Sequence, residues 1–121
     1  MRKKESREMY LEAIYKLELT GAAVRSVDIA GELGVSKPSV SRAMGVLKEA
    51  GHITHSHYGD IALTTAGRAK AERIYHTHKT ITGFLMKTLC LCEEDAEADA
   101  CRIEHVISDK ALAAIERLLS E

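Results

Sequence analysis

The sequence has no apolar run that approaches the length of a membrane-spanning helix. Its N-terminus is charged and amphipathic, and it has neither the apolar segment nor the small-residue cleavage site of a secretory signal. Repeats, low-complexity tracts and long linkers are also missing. These absences predict a soluble, cytoplasmic protein with no membrane partner. A chain of 121 residues can form one small domain with an appended module, and a core of that size needs no disulfides.

Cysteine is scarce and odd in number. Cys90, Cys92 and Cys101 do not make a disulfide framework, so they indicate free thiols or a ligand role in a reducing compartment. The Cys90 and Cys92 pair stands at the end of an expected helix, and we interpret it as a buried small hydrophobe or a stray thiol.

An excess of positive charge, the usual mark of a nucleic-acid-binding protein, is absent, since the net charge is −1 and the pI is near 6.6. The two parts of the chain differ, however. Residues 1–70 hold 11 Lys and Arg against 8 Asp and Glu, whereas residues 71–121 hold 6 against 10. A weakly basic front and an acidic back suit a module that touches phosphate followed by one that binds cations.

The spacing of apolar residues predicts a mainly α protein with one short hairpin. Caps and glycines give the approximate ends of each element. The predicted elements are a helix from Ser6 to Leu19, a helix capped by Ser26, a helix capped by Ser36 with Pro38 in its first turn and ending at Gly51, strands at Ile53–His55 and 61–64, a helix from Thr65 to about Leu89, a helix from the acidic segment 92–100 through Ile107, and a helix capped by Asp109.

Two short helices around a tight turn, followed by a hairpin, are typical of a winged helix-turn-helix. We therefore predict a winged helix-turn-helix DNA-binding domain at residues 1–64 and a helical metal-binding and dimerisation domain at residues 65–121.

The start of the third helix is the predicted DNA-reading segment. In helix-turn-helix proteins these positions reach base edges, where Arg can bind guanine in a bidentate manner, and Ser and Lys hold phosphates. The alternatives are a solvated helix face and a winged helix that binds protein. Tyr58, at the turn of the wing, is a candidate for backbone contact. The predicted DNA-binding residues of the helix are Ser36, Lys37, Pro38, Ser39, Ser41 and Arg42.

Three histidines, His52, His55 and His57, crowd the wing. They offer imidazole donors, but alternate residues of a hairpin usually face solvent or the DNA backbone. We interpret them as exposed or phosphate-contacting groups in preference to a metal cluster.

A second constellation predicts a transition-metal site. On a continuous helix Cys101, Glu104 and His105 stand at i, i+3 and i+4, so that a thiolate, a carboxylate and an imidazole share one face. Met9 and Glu12 share a face of the first helix in the same way. His78 on the long helix is a further donor. The alternative interpretation of Cys101 is a core cysteine that binds no metal.

Four segments in this order resemble the diphtheria-toxin-repressor and manganese-transport-regulator family. They are EMYLEAIYKLE, GVSKPSVSRAMGVLKEAG, LTTAGRAKAERIYHTHK and ACRIEHVISD, and the resemblance runs from about Glu8 to Leu118. It implies a repressor of metal-homeostasis genes that acts as a homodimer on double-stranded operator DNA and is activated by metal. The chain resembles a short form that lacks the SH3-like domain.

The resemblance also implies roles for individual positions. Thr82 and Glu97 depart from the carboxylate and histidine ligands of the iron-sensing branch, so that branch's ancillary site is not expected. Met9, Cys101, Glu104 and His105 match the regulatory site of the iron-sensing branch, and Glu12 and His78 match further ligands of the manganese-sensing branch.

The thioether of Met9 and the thiolate of Cys101 are soft donors, which favours Fe(II) first and Mn(II) second as the effector. Zn(II), Co(II) and Ni(II) are expected to bind in the test tube as well. Two rival hypotheses remain. One is a regulator triggered by oxidation of Cys101, and the other is a metal-dependent enzyme with Glu104 as general base. The enzyme is disfavoured because no second catalytic constellation accompanies the helix.

Overall fold

The computed structural model describes residues 3–56 and 59–121, with side chains from Ser6 onward. It is mainly α-helical with one two-stranded sheet, as the sequence predicted. The chain forms two compact units, Met1–Glu72 and Arg73–Glu121. The elements are α1 (Lys3–Glu18), α2 (Ser26–Leu33), α3 (Lys37–Glu49), β1 (Ile53–His55), β2 (Ile61–Leu63), α4 (Thr65–Leu89), α5 (Glu93–Ile103) and α6 (Asp109–Leu119).

The helix-turn-helix is formed by α2 and α3. The Ser36 Oγ accepts a 3.2 Å hydrogen bond from the Ser39 amide, and Pro38 lies in the first turn of α3, so the predicted cap is confirmed. The cap of α2 is Arg25 and not Ser26, because the Arg25 amide donates to the Asp28 carboxylate at 3.0 Å.

The wing is an antiparallel pair in which Ile53 lies opposite Leu63 and His55 opposite Ile61. The Ile61 amide also donates to the Val24 carbonyl at 2.8 Å, which joins the wing to the loop before α2. The first strand has its predicted bounds, and the second ends at Leu63, one residue early.

One face of each of the helices α1, α2 and α3 packs with the wing to form one apolar core. Its fully buried side chains follow helical spacing on α1 and α3, as the periodicity predicted. The core residues of this unit are Tyr10, Leu11, Ala13, Ile14, Val24, Ile29, Val40, Met44, Leu47, Ile53, Ile61, Leu63 and Ala71.

The first two turns of α4 pack against the wing. The Thr64 amide donates to the His52 carbonyl at 3.0 Å, and the Thr64 hydroxyl donates to the Gly51 carbonyl at 2.7 Å. Gly67 lies so close to the His52 backbone that a Cβ there would stand 1.9 Å from the carbonyl oxygen. The first compact unit runs to Glu72 and so includes the start of α4.

The second unit has its own core, formed by the rest of α4 with α5 and α6. Buried Ile81, Leu85, Ala96 and Ala100 form its centre. The packed neighbours of that centre are Phe84, Leu91, Ile103, Ile107 and Leu112.

Two predicted helix ends in the second unit are wrong. Helix α5 ends at Ile103 and not at Ile107, because the amides of both Val106 and Ile107 donate to the Ile103 carbonyl and close the helix. The cap of α6 is Ser108 and not Asp109, since the Ser108 Oγ accepts from the Ala111 amide at 3.1 Å. Across the described residues, no helix combines the length and apolarity needed to cross a membrane.

Candidate metal centre and DNA-reading helix

A carboxylate between two imidazoles is the main polar feature of the second unit. The Glu104 side chain has no exposed surface, and its Oε2 lies 2.8 Å from His78 Nδ1. Its other oxygen, Oε1, lies 3.2 Å from His105 Nε2. Both imidazoles are buried as well, so three metal-donor side chains meet away from water.

Helical spacing explains why these side chains face inward. His78, Ile81 and Leu85 stand at i, i+3 and i+7 on α4, so His78 continues the buried stripe of that helix. On α5 the buried positions Ala96 and Ala100 recur every four residues and lead to Glu104. The polar cluster is therefore an extension of the apolar core of the second unit.

Cys101 does not share this environment. It stands one residue after buried Ala100, about 100° further round the helix, and its side chain is exposed. Helix α5 ends at Ile103, with Glu104 as its C-cap, so Glu104 and His105 follow the helix that carries Cys101. The structure brings His78, Glu104 and His105 together and leaves Cys101 at the surface.

The structure also places two other predicted ligands, Met9 and Glu12, and the two positions that depart from the family pattern. In the first unit Glu12 is buried and Met9 half-buried, three residues apart on α1. In the second unit the Thr82 hydroxyl donates to the His78 carbonyl at 2.8 Å, so this hydroxyl is hydrogen-bonded to the backbone of α4. Glu97 is exposed.

The cluster fits a divalent transition ion. Imidazole nitrogen and carboxylate oxygen are the donors that iron, manganese and zinc take in proteins. A carboxylate taken fully out of water also needs compensating positive charge, which protonated imidazoles or a cation can supply. The burial and chemistry of His78, Glu104 and His105 are therefore compatible with a bound ion.

The predicted DNA-reading face lies on the exposed side of α3. Ser36, Lys37, Pro38, Ser41 and Arg42 are exposed, and Ser39 is half-buried. A short hydrogen-bonded chain orders this end of the helix, with 2.9 Å between the Ser36 and Ser39 hydroxyls and 3.4 Å from the Arg42 guanidinium to the Ser39 Oγ. The Arg42 charge is not paired with a carboxylate of the described residues.

Sequence reasoning missed two polar residues beside this face. A groove of about 530 Å³ runs between α1 and α3, and Ser6 and Arg7 of α1 line it together with Ser39 and Arg42. Arg7 lies 35 positions before Arg42, so no local periodicity could have connected them. The groove combines the two guanidinium groups with the hydroxyls of Ser6, Ser39 and Tyr10.

Of the four wing residues singled out from the sequence, the structure describes His52 and His55. Tyr58 and His57 lie outside the described residues. His55 is half-buried. His52 is not simply exposed, because its Nδ1 is buried without a hydrogen-bond partner in the described part of the chain. Burial lowers the pKa of His52 below 6.5, and the positive charges of Lys70 and Arg7 lower this pKa further.

Comparison with known proteins matches two domain families to successive parts of the chain. The family described as "Iron dependent repressor, N-terminal DNA binding domain" matches residues 4–61. The family described as "Iron dependent repressor, metal binding and dimerisation domain" matches residues 64–121.

Individual relatives extend over most of the chain. An uncharacterised helix-turn-helix transcriptional regulator of Methanocaldococcus jannaschii is 33% identical over 109 residues, which are 89% of this chain and 87% of the relative. The iron-dependent repressor IdeR of Mycobacterium leprae is 34% identical over 105 residues, which are 87% of this chain and 46% of IdeR.

Solved structures show the same arrangement of elements. A manganese-dependent transcriptional repressor in complex with manganese matches with a TM-score of 0.89 at 27% identity, over 94% of this chain and 52% of the repressor. The manganese regulator SloR matches with a TM-score of 0.84 at 27% identity, over 94% of this chain and 53% of SloR. The chain thus spans about half the length of IdeR and of these two regulators.

A winged helix-turn-helix followed by a helical metal-binding and dimerisation unit is the architecture of metal-dependent transcriptional repressors. The chain belongs to the iron-dependent repressor family, which includes the diphtheria toxin repressor and the manganese regulators.

Proposed function

We propose that the protein is a metal-dependent repressor that binds operator DNA of iron or manganese homeostasis genes when its metal site is filled. One observation carries the proposal. A buried His78, Glu104 and His105 cluster lies in the helical unit of a chain whose other unit is a winged helix-turn-helix. No described feature favours regulation by thiol oxidation over regulation by metal.

The proposed ligands fall into two sets with different support. His78, Glu104 and His105 are supported by their distances and burial. Met9, Glu12 and Cys101 are supported by the sequence motifs that the chain shares with the family. We propose that all six serve the metal response, at one ion or at two.

A bound divalent ion would supply concentrated positive charge to the Glu104 carboxylate and fixed directions of coordination to the imidazoles. His78 and His105 would hold the ion as neutral imidazoles, so the ion would compete with protons for their ring nitrogens. The Glu104 Oε2 lies 2.8 Å from His78 Nδ1 and orients that ring, and its Oε1 lies 3.2 Å from His105 Nε2. Metal affinity should therefore fall as the solution becomes more acidic.

We rank Fe(II) before Mn(II) as the effector because the motifs shared with the family assign the soft donors Met9 and Cys101 to the metal response. Replacement of Cys101 by Glu removes the soft thiolate. If donor softness sets the preference, the Cys101→Glu variant should respond more strongly to Mn(II) relative to Fe(II), measured as metal-dependent operator affinity. An unchanged ranking would refute the selectivity argument and leave the site assignment standing.

On the DNA side we propose that the α3 face reads bases while Ser6 and Arg7 hold the backbone. Arg42 presents an unpaired guanidinium at this face, and the groove that it lines also receives Arg7. Arginine in the major groove recognises guanine edges, whereas contacts to phosphate fix position without reading sequence.

A two-fold operator requires a dimer, and α6 offers a surface for one. Leu112, Ile115 and Leu119 form an apolar stripe along α6, and although Leu112 packs against the core of the second unit, α6 has no buried residue in the single chain. Leu118 is also 46% exposed. We propose that this stripe is covered in a homodimer, as the dimerisation role of the matching family suggests. Sedimentation that shows only monomers at micromolar concentration, with and without metal, would contradict it.

The test of the function is a DNA-binding titration under anaerobic, reducing conditions, with Fe(II), Mn(II) and Zn(II) added in turn to metal-free protein. We expect weak, salt-sensitive binding without metal and an increase of about 5–150-fold in operator affinity with it. Reciprocity requires operator DNA to tighten metal binding by the same factor. Full operator affinity of the reduced, metal-free protein would contradict the proposal and favour the thiol-triggered alternative.

A further inference from the structure

The chain between α4 and α5 presents two thiols on either side of an anchored leucine. Leu91 packs against the core of the second unit, and its amide lies 3.3 Å from the Leu85 carbonyl that accepts its hydrogen bond. Cys90 and Cys92, its two neighbours, are both exposed and both free. Exposure excludes the interpretation of this pair as buried small hydrophobes and leaves the alternative of free surface thiols. Because Leu91 faces the core, the flanking thiols are both on the solvent side.

The backbone at Cys90 is unusual for its residue type. Its φ is +57°, the left-handed conformation that glycine usually supplies where a helix ends. Cys90 is the one non-glycine residue with positive φ in the described ranges 3–56 and 59–121. A side chain in this conformation is strained relative to glycine, and such a cost is often associated with a functional side chain.

The surroundings favour a cation. Cys92 is the N-cap of α5, and the three residues that follow it, Glu93, Glu94 and Asp95, are acidic and exposed. Their charge attracts a positive ion and disfavours an anionic ligand at this loop.

We propose that Cys90 and Cys92 form a surface dithiolate site for a soft monovalent cation of the Cu(I) class. Two thiols bind one Cu(I), two sulfur–copper bonds form, and two protons are released to solvent, with no change of oxidation state. Thiolate sulfur selects Cu(I), and two sulfurs complete its preferred low coordination number. Zn(II) requires four ligands, so the same pair would leave it half-coordinated.

This site differs from the histidine and carboxylate cluster in donors, exposure and position. The cluster of His78, Glu104 and His105 is buried and has no sulfur. Cys101 is not a third ligand, because it lies nine residues along α5 from Cys92, or about 13 Å at the rise of an α-helix.

The test is a competition for Cu(I) between the reduced full chain and bathocuproine disulfonate under anaerobic conditions. We expect the wild type and His76→Ala, a control at an exposed residue outside all the proposed ligands, to withdraw one Cu(I) per chain with the same affinity, and thiolate-to-copper absorption to appear in the ultraviolet. Cys90→Ser and Cys92→Ser should each bind at least about 100-fold more weakly, because one thiolate loses the chelate advantage of two.

A second variant at position 90, which relieves the backbone strain, controls for folding. Cys90→Gly removes the thiol at a position where glycine is favoured, so it should keep the thermal stability of the wild type while losing Cu(I) binding. The proposal is overturned if Cys90→Gly or Cys92→Ser retains wild-type Cu(I) affinity, or if His76→Ala loses it. The readout needs no operator DNA, so failure here would leave the proposed repressor function untouched.

Discussion

Replacement of Gly67 by alanine should destabilise the first unit, although alanine is the better helix former. Gly67 lies in the first turn of α4 against the loop that leads into the wing. A Cβ at this position would stand 1.9 Å from the His52 carbonyl oxygen and 2.8 Å from its carbon. Both neighbours are backbone atoms, so no side-chain rotation can relieve the overlap.

The magnitude follows from what must move. To reach ordinary contact, at 3.4 Å or more, the start of α4 must retreat by about 1.5 Å. That shift breaks the bonds from Thr64 to the His52 and Gly51 carbonyls, which are worth about 1 kcal/mol each. Strain from overpacking adds about 1–3 kcal/mol, and the helix propensity of alanine returns about 1 kcal/mol. We expect a net loss of about 2–4 kcal/mol in the free energy of unfolding.

The assay is urea unfolding of the metal-free protein, followed by circular dichroism. Gly31→Ala is the matched control, because Gly31 lies exposed inside α2 with open space around its Cβ position. That variant should gain about 1 kcal/mol from helix propensity alone. If Gly67→Ala were as stable as Gly31→Ala, the close approach of α4 to the wing would be refuted.

Three further predictions concern the DNA-binding unit. Arg42→Ala should weaken operator binding by roughly 1–3 kcal/mol if the guanidinium holds a guanine edge, and an unchanged ratio of operator to random-DNA affinity would remove it from the base-reading residues. Ser36→Ala should cost about 1 kcal/mol of unfolding free energy because the Ser39 amide loses its cap, measurable by urea unfolding. The pKa of His52 is lowered by burial, Lys70 and Arg7, so its contribution to stability is full above pH 6.5 and is lost as pH falls through the folded pKa. His52→Gln should flatten that part of the pH–stability curve, and an identical curve would show that His52 titrates normally.

Much of the fold was predictable because its signals are local. Ser36, Pro38 and the glycine after α2 mark the helix-turn-helix within a few residues, and the bounds of α4 follow from a long helical period. The end of α5 was not predictable in this way. Apolar spacing continues through Ile103 and Ile107, and only the competing cap at Ser108 decides that the helix stops.

The candidate site was predictable in part. His78 and Glu104 are 26 residues apart, so their 2.8 Å contact depends on the packing of α4 against α5 and not on any local pattern. The resemblance to a family supplied the residue identities, and the packing shows which of them are buried together. The pattern of apolar residues continues past Ile103, so it did not show that Glu104 and His105 lie beyond the end of α5.

The most direct test of the central claim is the effect of metal on the operator affinity of His105→Ala. His105 is buried beside Glu104, whereas His76 on α4 is exposed and makes His76→Ala a matched control. In anaerobic titrations with Fe(II) and Mn(II), the wild type and His76→Ala should gain about 5–150-fold in operator affinity. His105→Ala should keep its fold and its weak, salt-sensitive binding to random DNA but gain nothing from metal. Tight metal binding by His105→Ala together with a full metal-dependent gain in operator affinity would contradict the assignment of this cluster as the regulatory site.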